Sequence, residues 1–320
     1  MDPTVIAAVE EKFSAFDIHT ATYQHVHHAH AITADILVAK AIRPGKCPVI
    51  VSFHGGYLIT GASLFPGHFL PWILDLALEH SAVLVRPNYR KLPESTGREI
   101  LEGLARFWTW FRGGLGAAVE AATAGVVEAD EARTLLIGHS AGAYLAVQSA
   151  ITQPEGTFKA IIAGYGMLDM KSPWFTTHFE KHPLGRPMLP PSFVDDHLAS
   201  MKPGETISTV TPPLRVDLAL ATVQYGRYPE MLGSDKAVYP MEMLETVKSF
   251  PPFFIYHGKD DSAVEVRQTE AFVERFASVL PGGKLLVRYE RGDHGFDAPV
   301  GLGAPWLREG LDFVGGEWLG

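Results

Sequence analysis

Cysteine is almost absent from the chain: Cys47 stands alone among 320 residues. A lone thiol excludes an intramolecular disulfide and any cysteine-rich metal site, so nothing calls for an oxidising compartment. Basic residues are in the minority, 27 Lys and Arg against 36 Asp and Glu for a formal charge of −9, which argues against a surface built for nucleic acid. A clean bilayer-spanning run is missing too. The longest uncharged stretch, Cys47 to Leu74, exceeds the roughly 20 residues of a membrane span, but glycines, prolines, His54 and His68 interrupt it. It reads as a buried strand followed by a loop, with no stable membrane insertion. The opening MDPTVIAAVEEK lacks the basic-then-apolar order of a secretory leader, so the expected location is cytoplasmic.

What remains is a globular composition. Hydrophobic residues make up 47% of the chain and charged residues 20%, enough to bury a core in one large domain carrying an insertion. Short apolar runs at Val49–Phe53, Ala82–Arg86, Thr134–Ile137, Ala160–Gly164, Phe253–His257 and Leu285–Tyr289 read as strands buried on both faces. Between them, apolar residues at helical spacing mark Glu99–Phe111, Ala141–Thr152 and Glu265–Leu280. This alternation predicts an α/β fold with a mostly parallel sheet flanked by helices. Ahead of it, Thr22–Val38 reads as an antiparallel edge and Pro3–Phe16 as an amphipathic helix.

Residues 165–249 break the rhythm, because far more chain separates two buried strands there than one helix requires. They read as a helical cap inserted into a core formed by residues 1–164 and 250–320. Seven of the eight methionines lie in this stretch, with Trp174 and Phe175 among its aromatics, either lining an adaptable apolar pocket or filling the cap's own small core. Met167, Trp174 and Phe175, together with Tyr57 and His139, are the candidate substrate contacts.

The chemistry concentrates in four places. Gly138-His139-Ser140-Ala141-Gly142 joins a strand to a helix, the placement a nucleophilic serine needs, since the sharp turn lifts its hydroxyl above the sheet. His54-Gly55-Gly56-Tyr57 ends the first buried strand, where adjacent glycines can present backbone N–H groups to an oxyanion, joined by that of Ala141. A serine also requires a base and a group to orient it. His294, in Asp293-His294-Gly295-Phe296 after the last strand, is the expected base. In His257-Gly258-Lys259-Asp260-Asp261, Asp261 is the expected acid, with Asp260 and then Asp169 as alternatives.

With Asn88-Tyr89-Arg90-Lys91-Leu92-Pro93-Glu94, these motifs run in an order that resembles the α/β-hydrolase fold, and within it the hormone-sensitive-lipase-like carboxylesterases. The resemblance implies Ser140 as nucleophile, His294 as base, Asp261 as acid, and Gly55, Gly56 and Ala141 as oxyanion donors, with no cofactor and no metal. Two positions depart from the family pattern: Tyr57 stands where a third glycine is common, and Asn88 where Asp is usual.

The expectation is a serine hydrolase that cleaves a carboxylic ester or lactone of a hydrophobic small molecule. Thioester or amide cleavage and cyclising acyl transfer use the same residues, and a non-catalytic receptor on this fold is the remaining alternative. Exposed apolar surface on the N-terminal helix or the cap leaves room for a homodimer. The cluster Gln24-His25-Val26-His27-His28-Ala29-His30 has the His-x-His spacing that puts two imidazoles on one strand face, but no matching carboxylate or cysteine follows, and exposed strand histidines are the plainer reading.

Overall fold

A computed structural model describes residues 3–320, with Pro3, Val5 and His28 described by their backbone alone. Met1 and Asp2, part of the leading segment, lie outside the described residues. The strands are β1 (Phe16–Val26), β2 (His30–Ala39), β3 (Gly45–Phe53), β4 (Val83–Pro87), β5 (Val127–His139), β6 (Ala160–Gly164), β7 (Phe253–Gly258) and β8 (Leu285–Glu290). Among the described residues they form one eight-stranded sheet in the order β1-β2-β4-β3-β5-β6-β7-β8. The β1–β2 and β2–β4 pairings are antiparallel, and every pairing from β4 to β8 is parallel.

Helices cover both faces. They are α1 (Pro3–Lys12), α2 (Pro71–His80), α3 (Gly97–Ala122) and α4 (Ala141–Thr152), then five short helices between β6 and β7, α5 (Pro173–Thr176), α6 (Ser192–Ser200), α7 (Val216–Gln224), α8 (Tyr228–Leu232) and α9 (Pro240–Met243), and finally α10 (Val266–Val279) and α11 (Pro305–Trp318). Alternation along β3 divides the core in two. Val49, Val51 and Phe53 meet Phe107, Trp108 and Phe111 of α3 on one face. Ile50 meets Trp72 and Ile73 of α2, with Leu307 and Leu311 of α11, on the other. Trp108 also donates from Nε1 to Ser149 Oγ at 2.9 Å, which ties α3 to α4 and satisfies the indole's only polar atom.

Several boundaries differ from the sequence expectation, each for a local reason. β5 begins at Val127 rather than Thr134, because Val127–Asp130 pair with Gly45–Pro48, where Glu128 faces solvent while Val127 and Ala129 stay buried. α3 begins at Gly97 because Thr96 caps it: Thr96 Oγ1 accepts from the Glu99 N–H at 3.3 Å, and Glu99 Oε2 accepts from the Thr96 N–H at 2.8 Å. α2 and α11 start at or beside prolines, Pro71 and Pro305, which suit a first helical turn. Within the histidine cluster, β1 ends at Val26 and His27–Ala29 form a 3₁₀ turn, so His25 and His27 do not share a strand face. Among the described residues no group of three His, Cys, Asp or Glu is placed to hold a metal.

The segment between β6 and β7 is stitched to the loops that follow β3 and β4. Gly61 and Val210 exchange backbone hydrogen bonds at 2.7 and 3.1 Å. The side chain of Glu94, only 4% exposed, accepts from Arg215 at 2.7 Å and lies 2.8 Å from His197 Nε2. Cys47 is buried in β3, and its thiol donates to the Arg43 carbonyl at 3.4 Å.

α4 lies so close to β3 that a Cβ on Gly142 would stand 2.1 Å from the Phe53 carbonyl oxygen. Neither backbone can yield, so Gly142→Ala should lose about 1–3 kcal/mol of stability in denaturant titration. Gly113, exposed within α3 with nothing within 4 Å of its would-be Cβ, is the control. Gly113→Ala should gain roughly 0.5–1 kcal/mol from helix propensity alone.

Candidate active site

The turn from β5 into α4 puts Ser140 at φ 56°, ψ −123°, a strained conformation for a residue with a side chain. Its backbone is fixed from both sides. The Ser140 N–H donates to Gly164 at 3.0 Å, and its carbonyl accepts from Ala143 at 3.1 Å and Met167 at 3.2 Å. Ala141, the first residue of α4, directs an N–H with no intrahelical acceptor toward the same region.

Gly55 lies directly against the serine, since a Cβ there would be 3.2 Å from Ser140 Cβ. Gly56 follows at φ +114°, with no room for a side chain beside the Thr60 carbonyl. Among the described residues the N–H groups of Gly55 and Gly56 meet no protein acceptor. A buried scaffold holds this loop. His54 Nδ1 donates to the Gly55 carbonyl at 2.7 Å, the ring stacks on Tyr89 at 4.4 Å, and Tyr89 Oη donates to the His54 carbonyl at 2.9 Å. Lys91 Nζ stands 3.5 Å from His54 Nε2. Burial and then the Lys91 charge push the His54 pKa well down, and burial does the same to Lys91. Tyr57 directs its hydroxyl away, donating to the Ala263 carbonyl at 3.2 Å.

His294 and Asp261 come from the loops after β8 and β7. Asp261 Oδ1 accepts from the N–H groups of Ala263 and Val264, each at 2.8 Å, and Oδ2 accepts from His294 Nδ1 at 2.8 Å. A second imidazole reaches the same oxygen, with His257 Nε2 at 3.1 Å. That nitrogen also faces the Val264 carbonyl at 2.8 Å, so it carries the proton, and Nδ1 accepts from the Thr269 hydroxyl at 2.7 Å. Burial pushes the Asp261 pKa up, but the hydrogen bonds from His257 and His294 outweigh it and hold the carboxyl below its ordinary range. With Nδ1 of His294 engaged, Nε2 is the nitrogen left to act as a base. Asp260, by contrast, is exposed and accepts from the Gly292 N–H at 3.0 Å, and Asp169 accepts from the Lys171 N–H at 3.3 Å. Neither carboxylate bonds to His294.

Ser140, His294, Gly55, Gly56, Tyr57 and His139 line one cavity of about 370 Å³. Met167, Trp174 and Phe175 do not line it. They are buried in the core, where Trp174 donates to the Ala263 carbonyl at 3.0 Å and Phe175 packs edge-on against Tyr228. Leu70, Leu184, Val216 and Ala219 supply the apolar wall instead. Nothing in the local pattern marks these four, which reach the cavity only through the tertiary arrangement. His257 was within reach of sequence reasoning, being four residues before Asp261, near the end of β7.

Residues 50–298 match a family model described as the alpha/beta hydrolase fold. The chain is 30% identical over 295 residues to the probable carboxylesterase M8 of Phoma sp., covering 88% of this chain and 92% of that protein. It is 29% identical over 202 residues to the probable carboxylesterase clz11 of Cochliobolus lunatus, covering 60% of this chain and 92% of that one. The solved structure of carboxyl esterase 2 from the mycorrhizal fungus Tuber melanosporum superposes with a TM-score of 0.59 at 17% identity, over 99% of both chains. The chain belongs to the α/β-hydrolase family, as a hydrolase of the carboxylesterase type. Among the described residues no helix is long and apolar enough to cross a membrane.

The depressed pKa of Asp261 has a thermodynamic signature. Its contribution to stability is complete above the unfolded carboxylate pKa of about 4 and drains away as pH falls below that value toward the folded pKa. The stability difference between wild type and Asp261→Asn, read by denaturant titration, should therefore shrink between pH 7 and pH 3. A difference independent of pH would contradict the assignment of its partners.

Proposed function

We propose that the protein hydrolyses a carboxylic ester or lactone of a hydrophobic small molecule, with Ser140 as nucleophile, His294 as general base and acid, and Asp261 orienting the imidazole. The observation that carries this reading is that His294, its Nδ1 held by Asp261, shares one cavity with Ser140. Nε2 takes the Ser140 hydroxyl proton as Oγ bonds to the substrate carbonyl carbon, and the resulting oxyanion accepts from the N–H groups of Gly55, Gly56 and Ala141. Collapse of the tetrahedral intermediate breaks the bond to the leaving oxygen, which receives the proton from Nε2. Water then gives a proton to Nε2, attacks the acyl-serine, and the same sequence releases the acid.

Residues 165–249 serve as the cap over this cavity in the same reading, because Leu184, Val216 and Ala219 come from them. The apolar wall and the volume favour a small hydrophobic substrate.

A fluorophosphonate probe should label one serine, and Ser140→Ala should abolish the label along with turnover of p-nitrophenyl esters. Persistent labelling in that variant would sink the assignment. Asp261→Asn should lower kcat by about 10⁴-fold, because the imidazole then rests in the wrong tautomer. Asp260→Asn should stay within a few fold, and the reverse order would move the acid by one position.

A further inference from the structure

We propose that His139, the residue before Ser140, forms through its Nδ1 a hydrogen-bond acceptor subsite for a hydroxyl or N–H group carried by the substrate close to its scissile ester. The proposal rests on the esterase reading of this cavity and names its substrate class, hydroxylated esters rather than plain hydrocarbon ones.

A buried relay behind the imidazole fixes which nitrogen holds the proton. Asp297, fully buried, lies 2.9 Å from Tyr165 Oη at Oδ1, and 2.5 Å from Tyr256 Oη and 3.3 Å from Trp72 Nε1 at Oδ2. The indole can only donate, and Asp297 accepts from it and from both phenol hydroxyls. Tyr256 thereby gives its one proton to Asp297. The 2.6 Å contact between Tyr256 Oη and His139 Nε2 then has the imidazole as donor. Nδ1 is left with a lone pair.

That lone pair has no other use. Among the described residues His139 Nδ1 meets no donor, and it is not one of the sealed polar atoms of the interior, while the ring itself lines the cavity. Trp72 and Tyr165 flank the ring edge-on and tilted, at 5.8 and 5.4 Å. Burial drives the pKa of His139 down, against the pull of Asp297 and with the help of Arg86 and His294, to about 4, so the ring is neutral at physiological pH. Apart from the Ser140 nucleophile, the hydroxyls on the wall are already committed: Tyr57 to Ala263, Tyr165 to Asp297, and Thr60 to the Leu214 carbonyl at 2.8 Å. The cavity's apolar wall is Leu70, Leu184, Val216 and Ala219, with His68 as a second imidazole on the lining, and beside that wall an acceptor left bare by a plain ester is a penalty that a donor on the substrate removes.

The test uses matched ester pairs. On the acyl side, p-nitrophenyl 3-hydroxybutyrate is compared with p-nitrophenyl butyrate, and on the alcohol side 2-hydroxyethyl butyrate with propyl butyrate. At least one hydroxylated member should be favoured by about tenfold in kcat/KM, the worth of one buried hydrogen bond. The pair that responds tells which side of the ester faces His139. In His139→Leu the ratio should fall to about one. Tyr256→Phe, which removes a single oxygen and frees the imidazole proton to move to Nδ1, should change the ratio, because the substrate hydroxyl must then accept there rather than donate. Ratios near one in the wild type for both pairs, or a preference that survives both substitutions, overturn the subsite while leaving the esterase reading intact. Absence of turnover on all four esters, together with no fluorophosphonate label at Ser140, overturns that reading and the subsite with it.

Discussion

The structure depends on one close approach. Where α4 meets the end of β3, Gly142 leaves no space for a side chain against the Phe53 carbonyl. This contact fixes the serine turn and the His54-Gly55-Gly56 loop relative to each other, since one hangs from the start of α4 and the other from the end of β3. Everything else in the cavity is assembled around that junction. The strain at Ser140 persists because Gly164, Ala143 and Met167 all hold its backbone.

A second feature is how buried charge is managed. Asp261 has no lysine or arginine bonded to it; two backbone N–H groups and two imidazoles satisfy it. Asp297 is satisfied by two phenols and an indole. Both carboxylates are satisfied without a lysine or arginine in the cavity, and these hydrogen bonds are directional, so they also set the tautomers of His257, His294 and His139. Electrostatics and geometry are here the same set of hydrogen bonds.

Much of this was legible in the sequence, and the boundary of legibility has physical causes. β6 and α4 read correctly to the residue, because a short buried strand and a helix following a tight turn carry their signals locally. The loops bearing Ser140, His294 and Asp261 were legible because each motif sits at the end of an apolar run. α2 and α11 were not, since prolines and glycines obscure their helical spacing. Met167, Trp174 and Phe175 looked like pocket residues by chemistry, yet they are buried in the core, because an apolar aromatic satisfies a core and a pocket equally well. Leu184, Val216 and Ala219 face the cavity only through long-range contacts, such as the pairing of Gly61 with Val210, that no local window contains.

The scarcity of cysteine has a practical side. Cys47 sits within β3 beneath the surface, its thiol donating to a backbone carbonyl and its pKa raised by burial, so it is a poor target for maleimides. A cysteine introduced at Leu184, exposed on the wall of the cavity, would be the single reactive thiol among the described residues. Spectroscopic reporters can therefore be placed at chosen points without first stripping native thiols, and a pair of them, one between β6 and β7 and one on the sheet, makes the distance between the two directly measurable in solution.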